Sequence, residues 1–415
     1  MRAAVTASGK LIARGNGRSY GDPALNRDTT LILSHADRFL AFDPQGGRLE
    51  AEAGVMLADI IETFLPRGWF IPVTPGTKFV TLGGMIAADV HGKNHHKEGS
   101  IGDHIESLEL MLADGRVVRC SPLQNPELFQ ATRGGMGLTG VILSAVLRMK
   151  KVESAYIRQE TLRTSNLDET MAAFEQSLDW TYSVAWIDCF ARGARLGRAL
   201  LYRGEHARLD ELPPDKRPHP FAVTPNSAKR VPFDFPGFAL NRWSVKLFNA
   251  FYYAAGSPGP DIVNYDRYFY PLDAILDWNR IYGASGLLQY QCVLPKATSR
   301  EGMAAILERV ARASSGSFLS VLKLLGPGSG MMSFPLEGYT IALDFPANAQ
   351  SFALLDELDA MVAARGGRVY LAKDARMNAA MLRQGYAGFD AFEKVRQAVD
   401  PSGKFASLQS ERLKL

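Results

Sequence analysis

An α+β fold in two domains is the architecture that this chain of 415 residues predicts. Three observations lead to it. Short strands alternate with helices over the first 150 residues, the character of the sequence changes near residue 150, and strands separated by helices return from Gly286 onward. A hydrophobic fraction of 47% is sufficient to fill cores of this size.

Composition and charge exclude several classes of function. The net charge is +4 and the basic residues are interspersed with acidic ones, so no nucleic-acid partner is predicted. Cys120, Cys189 and Cys292 are widely spaced and form no CxxC pair, which argues against a disulfide framework or a zinc site and favours a reducing, cytoplasmic setting. Neither a signal peptide nor an apolar run of about 18 residues is recognisable, so we expect no spanning helix.

The first 150 residues contain recognisable local signals. We expect strands at residues 31–34 and 48–53, and a helix from Leu57 with Gly68 as its C-cap. Asp114-Gly115 is typical of a tight turn and predicts a hairpin between residues 107–112 and 116–120. A further strand is expected at residues 141–150.

The second half begins with a capped amphipathic helix at residues 165–178 and a strand at 181–190 that alternates like a half-buried one. From Leu200 the sequence is interpreted as irregular, with a loop at 204–240 that is rich in proline and charge. The remaining predicted elements are strands at 287–294, 318–324 and 340–345, and helices at 299–313 and 348–364. The last fifty residues are too few for an independent domain and are expected to rejoin one of the first two.

A glycine-rich loop at residues 13–22 reads ARGNGRSYGD. Its spacing differs from the Rossmann fingerprint, because Gly15-x-Gly17-x-x-x-Gly21 runs into Asp22-Pro23 rather than into a helix. A P-loop motif is absent as well. Two interpretations stay open: a loop that only connects strands, or one whose backbone N–H groups bind a pyrophosphate with Arg18 and Ser19 as further donors.

Two further segments follow the glycine-rich loop in a definite order. They are PGTKFVTLGGMIAADVHGKNHH at residues 75–96 and ELFQATRGGMGLTGVI at residues 127–142. Together the three segments resemble the FAD-binding domain of the vanillyl-alcohol-oxidase, or p-cresol-methylhydroxylase-like (PCMH-type), flavoprotein superfamily, and within it the decaprenylphosphoryl-ribose 2'-oxidase family. The resemblance continues in FYPLD at 269–273, WNR at 278–280, LQYQ at 288–291 and AKD at 372–374, so it covers nearly the whole chain.

The resemblance implies a domain division and a cofactor. Residues 1–153 with 367–415 would bind FAD, and residues 154–366 would form a sheet-and-helix substrate-binding domain. The predicted cofactor-binding residues are Arg14, Gly15, Asn16, Gly17, Arg18, Ser19, Tyr20, Gly76, Thr81, Leu82, Gly83, Gly84, Ala88, Asp89, Val90, His91, Ile142 and Tyr370. Many oxidases of this superfamily attach FAD through a histidine in the first loop. Residues 17–20 contain no histidine, so we predict non-covalent FAD.

Lys373 and His91 are the predicted catalytic residues. A lone lysine is usually a solvated surface charge, but Lys373 in YLAKD aligns with the active-site lysine of the family. A strand is expected to carry Tyr370 and Lys373 to the cofactor. There the lysine would hydrogen-bond a sugar hydroxyl or stabilise negative charge on the reduced flavin. Which of Lys373 and His91 takes the hydroxyl proton stays open.

The resemblance also implies a substrate pocket. Its predicted residues are Tyr20, Lys93, Tyr282, Gln289, Gln291 and Lys323. The two glutamines alternate along one strand and so share a face, for which an ordinary solvated face is the alternative. Asp344 is equally compatible with an ordinary strand carboxylate. Ala342 and Thr340 stand where mycobacterial members of the family have a cysteine and an asparagine.

The cluster of His91, Lys93, His95 and His96 invites a metal interpretation, because imidazoles are common ligands. No array of Cys, Asp or Glu accompanies it in the sequence, and flavin chemistry requires no metal. We therefore predict no metal site, and regard His95 and His96 as compatible with a structural role.

The implied reaction oxidises the 2'-hydroxyl of a polyprenyl-phosphoryl ribose to a keto sugar, the first half of a 2'-epimerisation. The implied partners are this polyprenyl-phosphate-linked sugar and a short-chain reductase that completes the epimerisation. A peripheral contact with the inner membrane through residues 238–253 is a further expectation. The alternatives are an alditol or sugar-lactone oxidase of the same superfamily and a non-catalytic lipid-sugar binding protein that has lost its flavin.

Overall fold

The computed structural model describes residues 1–223, 229–236, 241–313 and 319–415. The elements of the first part, in chain order, are α1 Arg2–Ala7, β1 Leu11–Arg14, β2 Thr29–Ile32, β3 Phe39–Asp43, β4 Arg48–Glu52, α2 Leu57–Phe64, β5 Trp69–Phe70, α3 Leu82–Ala87, α4 His95–Glu98, β6 Ile105–Met111, β7 Val117–Cys120, α5 Pro126–Thr132, β8 Val141–Arg148 and β9 Lys150–Lys151.

The elements that follow are β10 Tyr156–Thr164, α6 Leu167–Glu175, β11 Tyr182–Ile187, β12 Ala199–His206, β13 Lys229–Arg230, α7 Arg242–Ala255, β14 Gly259–Asn264, α8 Tyr265–Phe269, β15 Ile275–Leu276, β16 Leu287–Pro295, α9 Lys296–Arg312, β17 Ser320–Leu325, β18 Gly338–Pro346, α10 Ala349–Ala363, β19 Arg368–Val369, α11 Ala379–Gly385, α12 Phe389–Val399 and α13 Leu408–Leu413. None of the described helices is long and apolar enough to cross a membrane.

An antiparallel sheet with the strand order β3-β4-β8-β6-β7 forms the centre of the first part. Helix α2 turns Leu57, Ile60, Ile61 and Phe64 into the same core as this sheet, because these residues recur at the spacing of one helical face. The predicted C-cap at Gly68 and the predicted hairpin turn are both confirmed by this arrangement.

A larger antiparallel sheet follows, and its described strands have the order β14-β10-β12-β11-β17-β18-β16-β19. Alternate residues of a strand point to opposite faces, and directly paired residues share a face. We call the face with Gln289, Gln291, Lys323 and Asp344 the open face. The covered face, with Leu288, Tyr290 and Cys292, is packed under helices α6, α9 and α10 in one apolar cluster.

Two secondary-structure expectations in this part of the chain were wrong. The strand expected to be half-buried, β11, is buried along its whole length because it lies between β12 and β17 in the middle of the sheet. The region expected to be irregular after Leu200 contains strand β12, whose Arg203 forms an ion pair with Glu160 on the neighbouring strand β10. Residues 224–228 and 237–240 of the proposed loop, and Phe318 of a proposed strand, lie outside the described residues.

The C-terminal residues contact both parts of the molecule. Strand β19 pairs with β16 at the edge of the larger sheet. Farther along, the N–H of Leu11 donates to the carbonyl of Lys404 at 2.8 Å, and Phe405 forms a parallel bridge with Leu11. The division into residues 1–153 with 367–415 and residues 154–366 therefore stays a prediction.

Candidate functional site

The first glycine-rich loop lies directly on the turn that contains Lys373. The N–H of Tyr20 donates to the carbonyl of Ala372 at 2.9 Å. Gly21 has a φ of +68°, and a Cβ there would lie 2.5 Å from the carbonyl oxygen of Asp374. Glycine is required at this position because no side chain fits and the backbone is left-handed.

An arginine near the C-terminus holds these two segments together. Arg412 donates from Nη2 to Asp22 and to Asp374, each at 2.8 Å. The other oxygen of Asp374 accepts from the N–H groups of Arg376 and Met377 at 2.9 and 2.7 Å. Asp374 therefore holds the turn that carries Lys373. Arg412 was not predicted, because no local pattern links positions nearly four hundred residues apart.

The second glycine-rich segment forms a wall against the first. A Cβ on Gly15 would lie 2.1 Å from Oγ1 of Thr81, and the same Oγ1 accepts from the N–H of Gly84 to cap helix α3. The side chain of Asn16 donates to the carbonyl of Phe79 at 2.8 Å. A Cβ on Gly83 would lie 2.8 Å from that of Ala53. The backbone of both segments is thus brought into close approach.

The residues present fit FAD. No atom lies within 4 Å of a Cβ placed on Gly76, so this glycine leaves bare backbone beside the walls, whereas a Cβ on Gly17, at a φ of +61°, would lie 2.2 Å from Nη2 of Arg14. A pyrophosphate binds to such exposed backbone N–H groups. Ser19 is half-buried and Arg18 is exposed, while the guanidinium of Arg14 donates to the carbonyl of Ala24. The remaining predicted contacts supply an apolar lining, with Leu82, Ala88, Val90 and Ile142 all buried.

Asp89 lies at a strained position just before His91. Its φ is +39°, which is uncommon for a residue other than glycine. One carboxylate oxygen accepts from the N–H of Gly102 at 3.0 Å and the other from the hydroxyl of Ser333. Burial raises the pKa of Asp89 to about 6. The carboxylate of Asp89 is thus occupied by these two donors, and the two hydrogen bonds hold the backbone that leads to His91.

His91 meets the open face of the larger sheet. The Nε2 atoms of His91 and Gln291 lie 3.0 Å apart, and Gln291 also donates to Oγ1 of Thr340 at 3.2 Å. Thr340 in turn donates to the carbonyl of Cys292 at 2.8 Å. Because the amide nitrogen of Gln291 is a donor, Nε2 of His91 accepts and Nδ1 carries the proton. This Nδ1 is buried and has no hydrogen-bond partner in the described structure.

The imidazole of His91 is neutral near pH 7. Burial lowers its pKa well below the usual value, and the positive charges of Lys323 and Lys373 lower it further. A neutral ring with a buried, unsatisfied Nδ1–H is able to donate a hydrogen bond to a ligand that enters the cradle.

Tyr370 and Phe334 enclose the same histidine. The hydroxyl of Tyr370 donates to the carbonyl of Ala88 at 3.0 Å, and its ring stacks on that of Phe334 with centroids 4.6 Å apart. Both rings lie within 5.3 Å of the His91 ring. Phe334 was not predicted, since a single aromatic residue in a glycine-rich loop gives no signal of such a contact.

Lys373 lies on a turn rather than on a strand, which corrects the expectation for YLAKD. Strand β19 ends at Val369, and Leu371–Lys373 forms a 3-10 turn whose Lys373 N–H donates to the carbonyl of Tyr370 at 3.0 Å. The ammonium lies 4.1 Å from the centroid of the Tyr20 ring. Burial lowers the pKa of Lys373 to about 8, and the carboxylate of Asp344 opposes that shift.

Asp344 belongs to the candidate site around Lys373. Its position in a strand had left open whether it is a site residue or an ordinary strand carboxylate. Nε2 of Gln289 donates to it at 2.6 Å across the register of β16 and β18. Burial raises the pKa of Asp344 to about 6, while Gln289, Lys373 and the hydroxyl of Tyr282 lower it. Three predicted site residues, Gln289, Lys373 and Tyr282, therefore act on the carboxylate of Asp344.

The other two predicted lysines, Lys93 and Lys323, add positive charge to the candidate site. Nζ of Lys93 donates to the carbonyl of Tyr268 and lies 4.3 Å from the centroid of that ring. Burial and the charge of Lys323 lower the pKa of Lys93 to about 7. Burial and the charge of Lys373 lower the pKa of Lys323 to about 8. Buried cations placed near one another in this way favour the binding of an anionic group.

The remaining histidines of HGKNHH make structural contacts. Nδ1 of His95 accepts from the N–H of Gly326 at 3.1 Å, and Nε2 of His96 lies 2.9 Å from the carbonyl of Trp180. Within the described ranges, no three His, Cys, Asp or Glu side chains are grouped so as to hold a metal ion. The FYPLD segment contacts the second glycine-rich segment, since Asp273 accepts from the N–H of Lys78 at 2.9 Å.

Comparisons with known proteins agree with this geometry. A family model described as FAD binding domain matches residues 1–121, and one described as D-arabinono-1,4-lactone oxidase matches residues 340–413. Decaprenylphosphoryl-beta-D-ribose oxidase of Mycolicibacterium smegmatis is 39% identical over 100% of this chain and 91% of its own. An uncharacterized protein of Streptomyces coelicolor is 36% identical over 87% of this chain and 100% of its own. L-gulonolactone oxidase of Bos taurus is 30% identical over 40% of this chain and 36% of its own.

The agreement confirms the fold class, the cofactor and the class of enzyme. The FAD-binding match covers both glycine-rich segments that build the cradle, so FAD is the cofactor and the chain is an FAD-dependent oxidoreductase. The similarity to the mycobacterial oxidase extends through the open face and the turn with Lys373. The chain belongs to the decaprenylphosphoryl-ribose oxidase family of the vanillyl-alcohol-oxidase-like flavoproteins.

Proposed function

We propose that this enzyme oxidises the 2'-hydroxyl of a polyprenyl-phosphoryl ribose to the 2'-keto sugar, as the first half of a 2'-epimerisation. The observation that carries the proposal is the contact between His91 and Gln291 beside Lys373. It joins the FAD-binding segments to the open face in a chain that matches a decaprenylphosphoryl-ribose oxidase over its full length. The substrate would be bound between these two surfaces, as is common for ligands held between domains.

The two glycine-rich segments, residues 14–20 and 81–84, would hold the dinucleotide, and Tyr370 with His91 would border its ring system. FAD supplies the acceptor for the hydride that leaves C2'. Nδ1–H of His91 would donate a hydrogen bond into the site. Gln291 fixes that tautomer through Nε2.

Lys373 is the group we assign to the hydroxyl proton. With a pKa of about 8, a fraction of its side chain is neutral near pH 7, and a neutral amine accepts a proton. As C2'–H leaves as hydride, the O–H bond breaks, the proton passes to Nζ and the C=O bond forms. The carboxylate of Asp344 would then stabilise the new ammonium. Tyr20, Tyr282 and Gln289 would orient the sugar around this pair.

Lys93 and Lys323 are proposed to bind the phosphoryl group of the substrate. Burial lowers the pKa of both lysines, and a neighbouring cation lowers each further, Lys323 in the case of Lys93 and Lys373 in the case of Lys323. A phosphoryl anion would relieve both effects.

Anaerobic flavin bleaching tests the proposal directly. Purified holoenzyme is mixed with a polyprenyl-phosphoryl ribose, its arabinose epimer, free ribose, alditols and sugar lactones. We expect the lipid-linked ribose to bleach the flavin fastest and free ribose to act poorly, because it lacks the phosphoryl group. Faster bleaching by a free sugar would contradict the assignment.

A lactone oxidase activity is the second candidate. It is favoured by the family model described as D-arabinono-1,4-lactone oxidase at residues 340–413 and by partial similarity to L-gulonolactone oxidases. That similarity covers less than half of the chain, whereas the match to the ribose oxidase covers all of it. Bleaching by a sugar lactone and not by the lipid-linked ribose would establish this candidate instead.

Non-covalent attachment of FAD is part of the proposal, because no histidine is present at residues 17–20. Intact-protein mass after denaturation is expected to equal that of the bare chain. A mass increased by one FAD would refute it. The keto product calls for a separate short-chain reductase, and epimer formation should require both proteins and a nicotinamide cofactor. A cytoplasmic location with peripheral membrane contact completes the proposal.

A further inference from the structure

Helix α7 is attached to the protein through polar residues and through the buried side chain of Val245. Asn249 is 1% exposed, and its side chain donates to Asp188 at 2.9 Å. Asp188 also accepts from Arg198 at 2.6 Å. The hydroxyl of Tyr253 donates to the carbonyl of Thr164 at 3.1 Å. These contacts fix the rotation of the helix about its own axis.

The rotation leaves an apolar line of residues in solvent. Trp243, Leu247 and Phe251 recur every fourth residue and are 75%, 74% and 73% exposed. A surface helix of a globular protein normally buries such a line and exposes its polar residues. Here the asparagine is inside and the large apolar side chains are outside. An exposed apolar line held in this way marks a binding surface.

The same helix lies on the open face of the larger sheet. The Tyr252 ring packs on that of Trp186 with centroids 4.7 Å apart. Trp186 is opposite Val321, Val321 is opposite Ala342, and Ala342 is opposite Gln291. This row crosses three strand spacings, which is about 14 Å. Val321 and Ala342 are half-buried, so a small apolar surface leads from the candidate site toward α7.

We propose that α7 docks the enzyme on an anionic lipid bilayer and that the polyprenyl chain of the substrate reaches the site along the row from Trp186 to Gln291. The second clause rests on the proposed function; the first does not. Trp243, Leu247 and Phe251 would lie at the boundary of headgroups and acyl chains. Lys246 is exposed on this helix, whose sequence contains no acidic residue, so an anionic surface is favoured.

A bilayer fits this surface better than a second copy of the chain. Three large apolar side chains bury roughly 500 Å², whereas a stable dimer needs about 800 Å² from each partner. A bilayer sets no such minimum, because affinity there grows with each inserted side chain and each nearby cation.

Co-sedimentation with vesicles tests the docking surface. Holoenzyme is mixed with vesicles of phosphatidylcholine, alone or with about one-third phosphatidylglycerol. The test variant combines Trp243→Gln, Leu247→Gln and Phe251→Gln. Its matched control combines Val117→Gln and Leu123→Gln, which replace apolar side chains that are 48% and 98% exposed in strand β7 and just after it. Bound FAD absorbance and the unfolding temperature verify that each protein is folded.

We expect the native enzyme and the control to bind the anionic vesicles and the test variant to partition about tenfold more weakly. Absence of binding, equal loss in the control, or binding independent of phosphatidylglycerol would overturn the proposal. A native dimer that the test variant converts to a monomer would assign the surface to a second copy.

The proposed function and the docking surface are tested independently of each other. Vesicle binding requires no turnover, so binding without flavin bleaching by any lipid-linked sugar refutes the reaction and leaves the docking surface intact. Bleaching by a short-chain polyprenyl-phosphoryl ribose without vesicle binding refutes the docking surface alone.

Discussion

The two faces of the larger sheet are built from the same strands and serve different purposes. On the covered face, Leu288, Tyr290 and Cys292 pack beneath helices in one apolar cluster. On the open face, Gln289 and Gln291 contact Asp344 and His91. Exposure does not separate the faces, because Gln291 is only 4% exposed. What differs is the surface that opposes strand β16, helices on the covered face and the FAD-binding segments on the open face. A shift of one residue in the register would exchange the two sets of side chains.

Lys373→Ala should have the largest effect. It removes the proposed proton acceptor, for which losses of about 10²- to 10⁴-fold are typical. We expect the rate of anaerobic flavin reduction by the lipid-linked ribose to fall by about a thousandfold while FAD stays bound. Lys394→Ala, at an exposed position, is the matched control. Near-normal turnover of the Lys373 variant would refute its role.

Gln291→Leu and Tyr290→Phe compare the two faces at adjacent positions. The first removes the donor that fixes the His91 tautomer, and we expect a loss of about ten- to a hundredfold in turnover, as for other groups that orient a histidine. The second removes a hydrogen bond of 3.0 Å to Asp359 on the covered face. It should lower the free energy of unfolding by about 1 kcal/mol and leave turnover unchanged. Urea unfolding measures the effect on stability and flavin reduction measures the effect on turnover. Equal losses of activity in the two variants would show that the two faces do not differ in function.

The pH dependence of kcat should show an ascending limb when it is measured at saturating lipid-linked ribose, so that the phosphoryl group is already bound to Lys93 and Lys323. If neutral Lys373 accepts the proton, kcat rises about tenfold per pH unit up to the pKa of about 8 and then levels off. The negative charge of Asp344 holds that pKa up, so Asp344→Asn should move the limb to lower pH. His91 contributes no limb near its ordinary pKa, because it remains neutral there. A descending limb near pH 8 would show that the cationic lysine is the active form.

Ala342→Cys should change activity least. It tests most directly which side chains of the larger sheet point to the open face. Ala342 is half-buried on the open face opposite Gln291, so a thiol there should react with a maleimide. The native cysteines are buried, and burial raises the pKa of Cys120 to about 11, so the native protein should label slowly. Mass spectrometry of the folded protein measures the difference. Labelling at Cys292 instead would reverse the assignment of faces.

Local features of the sequence predicted much of the fold. The helix capped by Gly68 and the hairpin at Gly115 depend on contacts within a few residues, and both are confirmed. Strand β12 was missed because its charges resemble those of a loop. Their partner, Glu160, lies on another strand and neutralises Arg203 only after the sheet has formed.

The candidate site was predicted only in part, because several of its contacts also join residues that are distant in the chain. Lys373 and the two glutamines were found through motifs, while Asp344 was left open and Arg412 and Phe334 were missed. Each of these depends on partners far away in the chain. The residue roles assigned to the site remain predictions to be tested by the variants above.

The sequence by itself determined the class of the protein. Its glycine-rich segments and the motifs HGKNHH and AKD identified an FAD-binding chain through their resemblance to a flavoprotein family, because such motifs reflect local backbone requirements and side-chain chemistry. Only the tertiary structure decided which groups act together. His91 contacts Gln291, which is two hundred residues away in the chain. Helix α7 exposes its apolar line because Asn249 is hydrogen-bonded to Asp188 on the opposite side of the helix. Burial and charge at a site depend on what packs around it, and no single segment of the chain contains that information.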